Sequence, residues 1–251
     1  MSNVPFDLVS DPFLSELLSH PVFQLKLEGS GPTPWKAPQG QAMIWSKVRT
    51  RDHRGVHWLE DQGFHLVDSN VQFQLSTRLE GSANNDKHSH SMTPISKPQS
   101  EVQIRLARAT DEKEIVRIAG DSFELSRFHT DPFFPTHVAR LIKEAWVANF
   151  FKGLRGQAMI IAEIDNQTAG FIQVLLDSSR SLATIDLIAT SAQFRKRGVA
   201  TSMIRWMIDH YSSTFSHVLV GTQLQNSPSL QLYEKLGFRI SETFYVFHRH
   251  S

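Results

Sequence analysis

The segment Ile185-Asp-Leu-Ile-Ala-Thr-Ser-Ala-Gln-Phe-Arg-Lys-Arg-Gly-Val-Ala200 restricts the possible folds more than any other part of the chain. An apolar strand, Ala183 to Thr190, runs into a turn of small and basic residues that opens a long amphipathic helix, Thr201 to Tyr211. At such a helix start the free N–H groups and the positive end of the helix dipole face outward, and Gly198 and Ala200 leave space for a bulky anion beside the backbone. Arg195, Lys196 and Arg197 oppose that dipole, so helix stability alone does not account for them. As donors to phosphate oxygens they fit, and the segment is read as an anion site.

Around it, helices and strands alternate. Strands are predicted at Val102 to Leu106, Ala158 to Ile164, Gly170 to Leu176, Val218 to Leu224 and Glu242 to His248, with Asn166 turning a hairpin. Helices are predicted at Asp111 to Ala119 with Thr110 as N-cap, at Arg140 to Phe150, and at Ser227 to Leu236. This pattern implies an α+β fold, a mixed sheet with helices packed on its faces. Leu79 to Ser100, rich in Ser, Asn, His, Lys and Pro, lacks either apolar period and reads as a linker. The expected organisation is therefore a smaller N-terminal α/β domain at 1–78, a linker at 79–100 and a larger domain at 101–251. In the first domain, Trp58-Leu-Glu-Asp-Gln-Gly-Phe64 and the strand His65 to Leu75, with Phe73, echo Leu232-Tyr-Glu-Lys-Leu-Gly-Phe238 with Phe247. Either any helix, Gly-Phe turn and strand would look so, or the first domain is a degenerate copy of half the second.

Composition removes several classes of function. With 251 residues, 40% apolar and 20% charged, the chain can bury a real core. A net charge of +1 lacks the basic excess of a nucleic-acid binder, so an anionic partner is expected to be small. Absence of cysteine removes disulfides, thiolate metal sites and cysteine nucleophiles, and fits a cytoplasmic protein. Met1 to Leu18 carries acidic residues within its apolar stretch and no basic lead, unlike a secretory signal, and no run is long enough to span a bilayer. Among twelve histidines, His53 with His57 and His88 with His90 show no third ligand nearby, so no metal is expected.

The loop and its surroundings resemble the acetyl-coenzyme-A-dependent N-acetyltransferases of the GNAT superfamily. Their pyrophosphate loop reads Gln or Arg, x, x, Gly, x, Gly or Ala, matched here by Arg195, Gly198 and Ala200. A second signature follows in order, Asn226 and then Leu232-Tyr233-Glu-Lys-Leu-Gly-Phe238. The resemblance covers Val102 to His248. Within the superfamily the chain looks most like the nucleotide-sugar N-acyltransferases, the group of dTDP-fucosamine acetyltransferase, on Ser126-Arg127-Phe128, Trp146, Asn149, Thr222-Gln223 and the extra N-terminal domain.

The resemblance implies an acyl-CoA donor, acetyl or a short hydroxyacyl such as 3-hydroxybutyryl, and a dTDP-linked amino-dideoxy sugar acceptor on a route to surface polysaccharide. Backbone of Leu187, Ile188 and Ala189 would line the pantetheine; Arg195, Lys196, Arg197, Gly198, Val199, Ala200 and Thr201 would hold the pyrophosphate. Asn226 would hold the pantetheine arm or the neighbourhood of Tyr233, which stands at the general-acid position. Ser126, Arg127, Phe128, Trp146, Asn149 and Gln223 would contact the sugar nucleotide. Acyl transfer needs a neutral amine, a polarised carbonyl and a proton for the departing thiolate, which a phenol can supply. For a base, Asp186 competes with Glu124, His129 and water, and Asp186 can equally be a carboxylate paired to an arginine. Another amine as acceptor, or a module that binds without turnover, are the alternatives. Nucleic acid and membrane are not expected partners, and oligomeric state is open.

Overall fold

The structure, a computed structural model, describes residues 4–27, 36–77 and 102–251. The predicted linker lies outside the described residues. The first segment forms β1 (Phe6–Ser10), α1 (Pro12–Leu18), β2 (Val22–Leu27), β3 (Met43–Arg49), α2 (His53–Asp61) and β4 (His65–Ser76). The second forms β5 (Gln103–Leu106), α3 (Glu112–Ser122), α4 (Arg127–Thr130), α5 (Thr136–Phe151), β6 (Ala158–Ile164) and β7 (Gln167–Asp177). It continues through β8 (Leu182–Thr190), α6 (Val199–Tyr211), β9 (His217–Gln223), α7 (Ser227–Lys235) and β10 (Arg239–His250). All ten strands join one mixed sheet, in the order β1-β2-β3-β10-β4-β9-β8-β7-β6-β5.

The predicted elements of the second segment are present, with shifted ends. The hairpin of β6 and β7 turns on Asp165 and Asn166, both with positive φ, the geometry of a tight two-residue turn. The N-cap of α3 is Asp111, not Thr110, because Ala109–Asp111 first makes a 3-10 turn. The Asp111 carboxylate accepts from the Arg108 N–H at 2.7 Å and from the Arg105 guanidinium at 2.7 and 2.8 Å. Helices α3 and α5 cover one face of the sheet over Met159, Ile161, Phe171 and Leu187. Helix α6 covers the other over Ile160, Ile172, Val174 and Ile185, joined by Tyr233 of α7.

The internal echo is a structural duplication. β3, α2 and β4 contain 7, 9 and 12 residues, and so do β9, α7 and β10, at constant separation along the chain. Asp52 caps α2 by accepting from the N–H of Gly55, and Asn226 caps α7 by accepting from that of Ser229, at matching positions with nearly equal backbone angles. β2 runs parallel to β3 as β8 does to β9, and β1 is antiparallel to β2 as β7 is to β8. Between β2 and β3 the sequence carries no counterpart of Arg195 to Ala200.

The two copies exchange their last strands. β4 and β10 pair antiparallel at the pseudo-twofold centre, and each inserts beside the other copy's middle strand, β4 on β9 and β10 on β3. The register slips at Val67 on one strand and Ser241 on the other, equivalent positions in the two copies. Phe73 of β4 therefore packs on Tyr233 of the second copy, and Phe247 of β10 joins the cluster of Leu59 in the first.

Candidate active site

A wedge opens in the sheet where the anion loop begins. β8 and β9 pair in parallel only from Leu182–His217 to Ile185–Val220. The register of β8 against β7 then slips, Gln173 facing Leu187 and Val174 facing Ile185, so Asp186 is the extra residue of a β-bulge. Beyond it, Leu187 to Thr190 pair with β7 alone, while Gly221 to Gln223 turn to β4. The backbone of Leu187, Ile188 and Ala189 thus presents its β9-facing polar groups to a cleft rather than to a strand. Gly170 allows β7 to approach this segment: a Cβ there would meet the Ala189 carbonyl oxygen at 2.5 Å.

Downstream, Arg195, Lys196, Arg197 and Gly198 are exposed, and Lys196 and Gly198 both take positive φ. Gly198 is the N-cap of α6 and supplies no side-chain acceptor, so the leading N–H groups of Val199, Ala200 and Thr201 lack a side-chain cap. A helix of 13 residues starting beside three cations without such a cap is a ready receptor for phosphate.

Tyr233 lies on α7, the helix that follows β9. It is 2% exposed, set between Phe73 and Phe238 with ring centroids at 5.5 and 5.8 Å. Burial pushes the phenol pKa up, against a smaller opposite effect of its hydrogen bond with Ser229, so the group remains a proton donor across the physiological range. Asn226, the cap of α7, holds the N–H of the same Ser229 at 3.3 Å, which places it in the neighbourhood of the tyrosine.

Asp186 accepts from Arg155 Nε and Nη2 at 2.7 and 2.6 Å, from Gln173 Nε2 at 3.1 Å and from Trp146 Nε1 at 3.3 Å. A carboxylate so engaged positions Arg155 and Trp146 against the bulge, the arginine-paired alternative of the sequence reading. Asn149 steadies the same corner through its main-chain carbonyl, which accepts from the N–H of Leu154 and Arg155. Ser126 Oγ bonds His129 Nδ1 at 2.7 Å, and burial, followed by the charge of Lys143, lowers the pKa of that imidazole. Phe128 is 1% exposed and packs on Phe134 and His248, so it supports the wall from behind. Arg127 lies over Trp45 of β3 at 4.1 Å, while Gln223 bonds Asp68 of β4. A cavity of about 320 Å³ lined by Leu66 to Ser69, Thr130, Leu224 and Gln225 adjoins these groups. The first copy thus supplies one wall of the cleft.

One cluster escaped the sequence reading because its members lie 117 and 119 residues apart. His248 Nδ1 and His250 Nε2 donate to the same Asp131 oxygen at 2.6 and 2.8 Å, and these three are the group of described residues whose donor atoms could meet on a cation. His53 and His57 form no such group; His88 and His90 lie outside the described residues. Burial would raise Asp131, but hydrogen bonds from both histidines and the Phe133 N–H outweigh it and hold the carboxyl well below its usual range. Burial also pushes His248 down to about 4. Neutral in the folded state but free to protonate once unfolded, His248 should cost stability as pH falls from 6.5 to about 4, and Asp131 should add to the loss below the ordinary carboxylate range. Urea midpoints should fall through that window. Asp131→Asn should remove about 2 kcal/mol at pH 7, because its amide has one oxygen where the carboxylate has two, so an NH2 group must face either the Phe133 N–H or the two ring N–H groups; an unchanged midpoint would rule out this account.

Residues 121–238 match the Acetyltransferase (GNAT) family. The spore coat polysaccharide biosynthesis protein SpsD of Bacillus subtilis is 30% identical over 140 residues, 55% of this chain and 47% of SpsD, so the chain spans about half the length of that relative. An N-alpha-acetyltransferase of Sulfurisphaera tokodaii is 27% identical over 155 residues, covering 57% of this chain and 83% of that protein. Among solved structures, a GCN5-related N-acetyltransferase from Sphaerobacter thermophilus superposes with TM-score 0.62 at 10% identity, over 98% of this chain and 76% of its own. A tandem GNAT protein from the clavulanic acid biosynthesis pathway gives 0.56 at 11% identity, over 90% and 75%. The fold is that of the GNAT acetyltransferases. No helix among the described residues is long and apolar enough to cross a membrane.

Proposed function

We propose that this acyl-CoA-dependent transferase of GNAT fold acylates the amino group of a nucleotide-linked amino-deoxy sugar, by direct transfer, in the synthesis of a surface polysaccharide. The carrying observation is the wedge at Asp186, which leaves the backbone of Leu187 to Ala189 without a β9 partner, followed by the basic start of α6; Tyr233 of α7 is taken as the proton donor to the same cleft. In this reading the pyrophosphate of the donor lies on the N–H groups of Val199 to Thr201 with Arg195 to Arg197 around it, and the thioester enters between β8 and β9. The acceptor amine attacks the thioester carbonyl carbon, the C–S bond breaks, and the thiolate takes the proton of Tyr233 while the amine proton passes to water. A sugar amine is less basic than a lysine, so enough is neutral for water to suffice.

The relation to SpsD and the wall supplied by Trp45 and Asp68 support a sugar acceptor of some size. A second reading, acylation of a peptide N-terminus, is favoured by the relatives named N-alpha-acetyltransferase. Free-thiol release separates them, with acetyl-CoA and 3-hydroxybutyryl-CoA offered against dTDP-linked 3-amino and 4-amino dideoxy sugars and against peptides with free N-termini. Release is expected with one sugar and one donor. Release with peptides alone would replace the acceptor and keep the fold.

A further inference from the structure

Two neighbouring cations, on α4 and α5, have no anionic partner among the described residues. Lys143, in the middle of α5, is 8% exposed, and Arg127 opens α4. Neither side chain makes an ion pair or a hydrogen bond with another described residue. Their direct contacts are aromatic faces: Lys143 Nζ lies 5.0 Å from the ring centroid of Phe123 and 4.9 Å from that of Trp146, and Arg127 lies 4.1 Å from Trp45 and 4.7 Å from Phe128. Cation–π contact leaves the N–H donors of both groups unused.

The neighbouring carboxylates are committed elsewhere. Asp186 is taken by Arg155, Gln173 and Trp146; Asp68 by the Ser69 N–H, Asn70 and Gln223; and Asp11 by the Leu14 N–H and Trp45 Nε1. Burial, followed by the charge of Arg127, pushes Lys143 down to about 8, and burial brings Arg127 down to about 10. Holding a buried lysine beside a half-buried arginine is costly unless a bound anion relieves it.

We infer that Lys143 and Arg127 form an anion subsite of the acceptor pocket, one that takes a phosphate or carboxylate group of the acceptor between the indole faces of Trp45 and Trp146. The inference rests on the proposed function for the pocket's identity as the acceptor site. For a sugar nucleotide the group bound is the diphosphate; for another amine it is a carboxylate or phosphate near the reacting nitrogen. Lys143 carries no sequence signal, since a lysine within an amphipathic helix ordinarily faces solvent.

Calorimetric titration of the full chain tests this, with the donor site saturated by coenzyme A so that added anions cannot occupy the start of α6. The probes are dTDP, inorganic pyrophosphate and acetate, with thymidine as the neutral control. The variants are Lys143→Met and Arg127→Met; exchanging a buried charge for an apolar chain of similar length is often neutral or stabilising, so both should fold. Expected is dTDP binding that weakens by about tenfold or more in each variant, with coenzyme A affinity unchanged and thymidine binding much weaker than dTDP. Pyrophosphate or acetate binding that depends on Lys143 while dTDP fails to bind would uphold the subsite and overturn the nucleotide-sugar reading. Equal dTDP affinity in wild type and both variants, or no anion binding that depends on Lys143, would overturn the subsite.

Discussion

Tyr233→Phe should lower kcat by about a hundredfold while leaving the affinity for coenzyme A within about twofold. The reason lies in what the substitution removes. The ring stays between Phe73 and Phe238, so the hydrophobic seat and the strand β4 above it are preserved. Only the hydroxyl is lost, and with it the proton that the thiolate needs as the C–S bond breaks. Because burial raises the phenol pKa, Tyr233 donates rather than accepts at neutral pH, and its loss should depress the rate evenly across the physiological range. Steady-state kinetics beside coenzyme A titration makes the separation visible. An unchanged kcat would take Tyr233 out of the acid role, and a large loss of coenzyme A affinity would make its role one of shape. Ser229→Ala provides a gentler check, since it removes the partner of the hydroxyl and leaves the phenol in place.

Deleting residues 1–78 should abolish the fold of the remaining chain rather than release a smaller enzyme. β4 lies between β9 and β10, paired with β9 from Asn70–Gln223 to Ser76–His217 and with β10 from Arg239–Gln74 to His248–His65. Without it, two ladders of backbone groups lose their partners, and Phe73 leaves a ring-sized void against Tyr233. β10 could meet β9 only by moving sideways through a full strand spacing of about 4.8 Å, away from Asp131, which holds His248 and His250. The expected product is an aggregating chain without coenzyme A binding, seen by gel filtration and far-UV circular dichroism. Adding the 1–78 piece during refolding should recover soluble material. A soluble truncated chain with native affinity for coenzyme A would show that the segments fold independently. We propose instead that 1–78 and 101–251 are two parts of one folding unit joined by exchanged strands.

The strand, turn and helix start proposed as the donor half of the site were legible in the sequence because they are local. Arg195, Gly198 and Ala200 lie within one turn, and Asn226 and Tyr233 within one short helix, so residue spacing alone reports their geometry. The duplication was half-legible: Glu60, Gly63, Phe64 and Phe73 recur as Glu234, Gly237, Phe238 and Phe247, because the helix stop and the core aromatic are needed in both copies. The long-range contacts were not. Asp186 meets Arg155 across 31 residues, Asp131 meets His248 across 117, and Arg127 meets Trp45 across the junction of the copies.

Local free-energy preferences, such as apolar period, helix caps and turn residues, act within a few positions, and they wrote the elements and the exposed basic start of α6 into the chain. Strand exchange and the cleft depend instead on which distant surfaces bury one another. β4 and β10 carry similar alternating patterns and could each pair with either copy's middle strand; packing of Phe73 on Tyr233 and of Phe247 in the cluster of Leu59 selects the exchanged arrangement. The same burial brings Trp45 over Arg127 and sets Lys143 against Trp146, placing residue types that ordinarily face solvent against aromatic rings.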